Sequence, residues 1–115
     1  MRDWNAIRER YLRDALPARL GGLATNLARI RSFSVNAANR EAVGYLLDES
    51  KRFIEWTAAE ADIDTAAKLV ELQVQLARWQ LQWERIWADQ VQRMQMAEMA
   101  HAWAEQVLER SGLLD

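Results

Sequence analysis

The single histidine of the chain, His101, comes closest to a reactive or metal-binding residue. Glu98 precedes it by three positions, so the two side chains share one face of a helix. Carboxylate-bridged di-iron bundles use this Glu-x-x-His spacing, but they need it twice and add two further glutamates. A metal role therefore requires a second copy of the chain. Pairing of His101 with Glu98 or Glu105 on a helix surface is the simpler interpretation.

A phosphorelay role is the other chemical alternative for His101. Phosphotransfer bundles have about this length and a helical core, but the Lys-Gly context typical of their reactive histidine is absent here. The chain also lacks cysteine, a Gly-rich phosphate loop, a G-x-S-x-G turn and an H-E-x-x-H motif. His101 is the one histidine that could activate a serine, and no sequence motif links it to a serine in a catalytic triad. The sequence therefore predicts a protein that is not an enzyme and holds no cofactor.

Three of the six tryptophans, Trp79, Trp83 and Trp87, follow each other at intervals of four residues. On one continuous helix they form a slanted aromatic ladder. Core packing explains such a ladder most simply, because indole rings bury a large area. Two alternatives stay open, namely a contact surface for a protein partner and a slot for a flat small molecule.

Six indoles are difficult to bury among about four helices, so we expect some of them to reach a protein–protein interface. The predicted function is contact with a protein partner, including self-association into a homo-oligomer. The predicted interface combines surplus apolar residues of the third and fourth helices with two from the N-terminal segment: Trp4, Tyr11, Trp79, Trp83, Trp87, Met96, Met99 and Trp103.

The composition predicts a single all-α domain that spans residues 1–115. Half of the residues are hydrophobic and 28% are charged, which is enough apolar material for one core. Four Gly and one Pro are too few for the turns of an all-β chain. We therefore expect an antiparallel bundle of about four helices.

Local signals set the predicted helix ends in the first half of the chain. Asp3 is a candidate N-cap of the first segment, and Pro17 either begins a new helix or kinks the first one. Asn39 is a candidate N-cap of the next helix, which is predicted over 40–61.

The second half is predicted to hold a helix over about 65–88 and another over 90–110. Asp62 or Asp64 caps the third helix, and apolar residues surround so much of it that it is expected to be the most buried. Asp89 begins a capping-box pattern. Without a turn there, a single helix of about 69 Å would imply an extended dimer. Gly112 is expected to end the last helix in the left-handed conformation.

Charge is distributed unevenly along the chain. Residues 1–40 carry eight basic and three acidic side chains, whereas residues 41–115 carry seven basic and fourteen acidic ones. Complementary packing within one chain explains this asymmetry, and a basic surface that meets an acidic partner, such as a second copy, is the alternative. The pI near 5.5 and the scarcity of lysine argue against nucleic acid.

Membrane insertion is not expected, because no apolar run approaches the ~18 residues of a membrane span. The first residues, Met-Arg-Asp-Trp-Asn, lack the apolar core of a signal peptide. The expected location is therefore the cytoplasm.

Overall fold

The computed structural model describes residues 2–114, in which every regular element is helical. This confirms the all-α prediction, but there are six α-helices in these residues rather than about four. Four are long and two, the first and fifth, are short. They are α1 (Trp4–Arg13), α2 (Leu16–Phe33), α3 (Arg40–Thr57), α4 (Ile63–Leu81), α5 (Trp83–Ala88) and α6 (Gln90–Ser111), with 3-10 turns at Ala37–Asn39 and Ala58–Glu60.

Capping side chains set the helix starts, as the sequence predicts. Asp3 accepts a hydrogen bond from the backbone N–H of Ala6 at 3.1 Å, and Asp62 accepts one from Thr65 at 3.1 Å. Pro17 lies in the first turn of α2, where its missing N–H costs nothing, so it begins a helix rather than kinking one.

The boundary at Asp89 is also confirmed. Its carboxylate accepts the backbone N–H groups of Val91 and Gln92, at 2.9 and 3.3 Å, and so begins α6. This turn excludes the single helix of about 69 Å. At the other end of α6, Gly112 adopts a positive φ of 85°, the left-handed stop predicted from the sequence.

One boundary prediction is wrong, and one predicted helix start is right but lacks the expected capping hydrogen bond. The helix predicted over 65–88 is interrupted at Gln82, which has a φ of −107° and a ψ of 16°. Beyond it, the Trp83 ring lies over Gly44 and the Trp87 indole donates to a backbone carbonyl of the loop before α3, so these contacts redirect the chain. Asn39 precedes α3, but its side chain does not cap that helix and donates instead to the carbonyl of Phe33 at 3.0 Å.

α2 and α3 run antiparallel to each other. Arg19 and Asn26 of α2 bond to Glu60 and Glu49 at 2.7 and 2.9 Å, which fixes the opposite direction of α3. α2 packs most extensively against α6, in which several buried alanines allow a close approach. The largest fully buried side chains are aliphatic and come from α2, α3, α4 and α6: Leu23, Leu27, Ile30, Leu47, Ile54, Leu69, Leu72, Leu76 and Met96.

Ion pairs within the chain support the interpretation of the charge asymmetry as internal complementarity. Three arginines of the basic segment pair with glutamates of the acidic remainder. These pairs are Arg19–Glu60 at 2.7 Å, Arg31–Glu98 at 3.3 Å and Arg40–Glu84 at 2.5 Å. The basic segment is therefore held against the acidic one by the fold itself.

Candidate functional site

The residues predicted to form an interface do not lie together on one surface. Tyr11, Trp79, Trp87 and Met96 belong to the core, with at most 8% of each exposed. Tyr11 stacks on Phe53 with ring centres 3.9 Å apart. Its hydroxyl donates to the carbonyl of Arg19 at 2.8 Å, and burial raises the pKa of this phenol to about 12. These four side chains stabilise the monomer.

The other four predicted residues are at the edge of the core or outside it. Trp4 is half-buried, stacks near Tyr45 and lies under the guanidinium of Arg52 at 4.0 Å. Trp83 and Trp103 are half-buried against the core, and Met99 alone is exposed, at 44%. Of the six indoles, two are buried and four are half-buried, with part of each ring at the surface.

The aromatic ladder is not continuous, because the break at Gln82 places Trp79 on α4 and the other two rings on α5. Trp83 and Trp87 contact each other, with ring centres 5.0 Å apart. Trp87 donates its indole N–H to the carbonyl of Ala37 at 2.8 Å. Trp83 and Trp87 therefore pack together against the start of α3, whereas Trp79 is buried in the core from α4.

His101 is a surface residue paired with Glu105, from Nε2 to Oε1, at 2.8 Å. Glu98 pairs instead with Arg31 on α2, at 3.3 Å. Within residues 2–114, His, Asp and Glu side chains form no cluster of three that could hold a metal ion. The geometry thus agrees with the interpretation of His101 as one member of a helix-surface pair.

The longest row of exposed apolar side chains lies on α4, the helix that the sequence predicts to be the most buried. That expectation is wrong, because only one side of α4 faces the core. We call this side the inner stripe; it consists of Thr65, Leu69, Leu72, Leu76 and Trp79, each at most 5% exposed. We call the opposite side the outer stripe; it consists of Ile63, Ala67, Val70, Val74, Ala77 and Leu81.

The outer stripe is apolar and lies in solvent. Ile63 and Leu81, at its two ends, are 86% and 87% exposed, and Val70 and Val74, at its centre, are 52% and 47% exposed. Its members alternate at spacings of four and three residues along the whole helix. This is the heptad spacing of a coiled-coil seam, so α4 carries one seam that the fold fills and a second that it leaves open.

Mostly polar residues border the outer stripe on both sides. Asp64, Glu71 and Arg78 recur every seven residues along one flank, and Ala66, Gln73 and Gln80 recur along the other. Glu71 contacts Lys68 at 3.5 Å, and Gln80 accepts a hydrogen bond from Lys51 at 2.8 Å. Asp64 and Arg78 have no ion-pair partner among the residues that the structure describes.

A smaller apolar surface lies on the N-terminal half of α6. Val91, Met94 and Met99 line a shallow open cavity of about 730 Å³ together with Gln90, Gln95 and Glu98. Val91 is 66% exposed. This surface has no heptad spacing, and it provides a matched control for the outer stripe.

No helix within residues 2–114 combines the length and the hydropathy that crossing a membrane requires. Comparison with known protein families, with curated proteins and with solved structures finds no match for this chain.

Proposed function

We propose that the protein acts through protein–protein contacts, with no catalytic step of its own, and that it associates with a second copy of itself. The observation that carries this proposal is the outer stripe of α4. The four long helices form the antiparallel scaffold that presents it.

The stripe is costly to leave in water. Complete burial of one Val, Leu or Ile side chain stabilises by about 1.5–3 kcal/mol, and four such side chains of the stripe are about half exposed or more. Single exposed apolar residues are ordinary, but a continuous row of them marks an interaction site. Its heptad spacing fits the knobs-into-holes packing of a partner helix.

The borders of the stripe favour a protein partner over a lipid surface. Helices that lie on membranes carry Lys and Arg beside their apolar face. Here the flanks combine two acids, Asp64 and Glu71, with a single cation, Arg78, and with glutamines. Because both charge signs occur on one flank, a second copy can satisfy them.

The expected interface is small. α4 has 19 residues, so a pair of these helices is about 28 Å long. Such a contact is at the lower end of specific interfaces, which bury about 800 Å² per partner. We therefore expect a reversible dimer with a dissociation constant on the order of micromolar.

Sedimentation velocity over a concentration series tests the proposal. We expect the wild type to shift from monomer to dimer as its concentration rises. Val74→Glu, which places a charge at the centre of the outer stripe, should keep the protein monomeric. Val91→Glu makes the same change at a similarly exposed site on α6 and should leave the dimer intact.

Two results would refute the proposal. One is a wild type that stays monomeric up to about 1 mM, well above the expected dissociation constant. The other is loss of the dimer in Val91→Glu with the dimer unchanged in Val74→Glu. Helical circular dichroism and the unfolding temperature of each variant show that the change acts on association rather than on folding.

A further inference from the structure

Resting on this proposed function, we infer that two copies pair α4 against α4 in antiparallel orientation about a two-fold axis near residue 72, with Asp64 of each copy facing the partner's Arg78. The inference draws on the symmetry of the outer stripe and on the charges of its flank. It makes the association a closed dimer rather than an open chain of copies.

The outer stripe is symmetric about its own centre. Its end residues, Ile63 and Leu81, lie nine positions on either side of residue 72, and its central residues, Val70 and Val74, lie two positions on either side. Ala67 and Ala77 lie between them at five positions. An antiparallel copy therefore matches large with large and small with small: Ile63 meets Leu81 of the partner subunit, and Val70 meets Val74 of the partner subunit.

The charged flank selects this orientation over a parallel one. In an antiparallel helix pair, equivalent flanks face each other, whereas in a parallel pair each flank faces the opposite one. Antiparallel pairing places Asp64 opposite the partner's Arg78 twice, once on each side of the axis. Parallel pairing would place both residues opposite the flank of Ala66, Gln73 and Gln80, which carries no charge.

The remaining charge of the flank lies near the axis. Glu71 would approach its own copy there, and Lys68, which contacts Glu71 at 3.5 Å within each chain, supplies the compensating positive charge. The antiparallel arrangement also opposes the two helix macrodipoles, which a parallel arrangement would align. The opposed macrodipoles act in the same direction as the two Asp64–Arg78 pairs, whereas Lys68 only offsets the repulsion between the two copies of Glu71.

Cysteine cross-linking distinguishes antiparallel from parallel pairing of the two α4 helices. The chain contains no cysteine, so each introduced cysteine is the only thiol of its variant. Ala67→Cys mixed with Ala77→Cys should form a disulfide-linked dimer under mild oxidation. Ala67→Cys alone should not, since the two copies of residue 67 lie about 15 Å apart along the helix axis, too far for a disulfide. Val91→Cys controls for random collisions. Cross-linking of Ala67→Cys with itself at the rate of the mixture would overturn the inference.

A charge exchange tests the two flank pairs. Asp64→Arg and Arg78→Asp should each weaken self-association about tenfold, because each places two like-charge pairs across the axis. A one-to-one mixture of the two variants should restore the dimer, since opposite charges then face each other across the axis in the mixed pair. Thermal unfolding of both variants is the control, because it shows whether the changed charge at the ends of α4 lowers the stability of the fold itself.

The outcomes separate this inference from the proposed function. Suppose that Val74→Glu dissociates the dimer, that Asp64→Arg and Arg78→Asp do not weaken it, and that Ala67→Cys cross-links with itself. These results overturn the antiparallel arrangement but leave the proposed self-association through α4 intact. A wild type that is monomeric throughout overturns both.

Discussion

The guanidinium of Arg19 makes two parallel hydrogen bonds to the carboxylate of Glu60, at 2.7 and 2.9 Å. Its Nε also donates to the carbonyl of Asp14, at 3.0 Å. Only 6% of the arginine side chain is exposed, against 55% of the glutamate. One buried cation thus connects the corner between α1 and α2 to the turn that follows α3.

This pair predicts a dependence of stability on pH. The hydrogen bonds from Arg19 hold the pKa of Glu60 below its ordinary value of 4.5. A carboxyl whose pKa is lower in the folded state stabilises that state above its unfolded pKa, and the effect disappears as the pH falls through the folded pKa. Glu60→Gln should therefore be less stable than the wild type at neutral pH, with a difference that shrinks as the pH falls below about 4.5.

Urea denaturation at a series of pH values measures this difference. Glu55→Gln is the matched control, since Glu55 is exposed on α3 and has no ion pair among the described residues. We expect its difference from the wild type to stay small and constant. If the Glu60→Gln difference is equally large in acid and at neutral pH, the ion pair does not stabilise the fold as described.

A second prediction concerns the two rings of α5. Trp87 is 5% exposed, donates to the carbonyl of Ala37 at 2.8 Å and lies 5.3 Å from the Arg93 guanidinium. Trp87→Phe removes this hydrogen bond, which should cost about 0.5–1.5 kcal/mol of unfolding free energy, and it also replaces an almost fully buried ring with a smaller one. Trp83→Phe removes an indole whose N–H has no hydrogen bond in the described structure, so it should cost less. Chemical denaturation of both variants checks the order, and the reverse order would contradict it.

A third prediction concerns adjacent glycines inside α2. A Cβ on Gly22 would lie 3.8 Å from the Tyr11 ring, an ordinary contact, whereas a Cβ on Gly21 would lie 2.6 Å from Leu113. Gly22→Ala should therefore stabilise the protein by about 0.5–1 kcal/mol, because alanine favours the helix. Gly21→Ala should gain less, since Leu113 must move. Equal stabilisation of the two variants in thermal unfolding would show that Leu113 does not pack there.

The predictable parts of the fold are those that depend on local chemistry. Asp3, Asp62 and Asp89 cap helices through their own neighbours in sequence, and Gly112 ends α6 through its own backbone. The interruption at Gln82 has no such signal, with neither Gly nor Pro at the break. It depends on contacts that the Trp83 and Trp87 rings make with the distant start of α3, and such contacts are not visible in a sequence window.

The outer stripe of α4 could be predicted only in part from the sequence, because its exposure also depends on distant contacts. The sequence shows apolar residues around nearly all of α4, a pattern that predicts the most buried helix of the bundle. Burial depends on how many neighbours a helix has, and the fold covers the inner stripe while it leaves Val70, Val74 and their companions uncovered. Separating the apolar residues of α4 into two heptad seams is the sequence signal that identifies the outer stripe.

The most direct test of the outer stripe is its amide chemical shifts as a function of protein concentration. Two-dimensional NMR spectra of the isotope-labelled wild type should show concentration-dependent shifts that cluster at Ile63, Ala67, Val70, Val74, Ala77 and Leu81 and at the flanking Asp64 and Arg78. The amides of the inner stripe and of the Val91 surface should change little. Spectra that do not change with concentration, or changes centred on Val91, Met94 and Met99, would contradict self-association through α4.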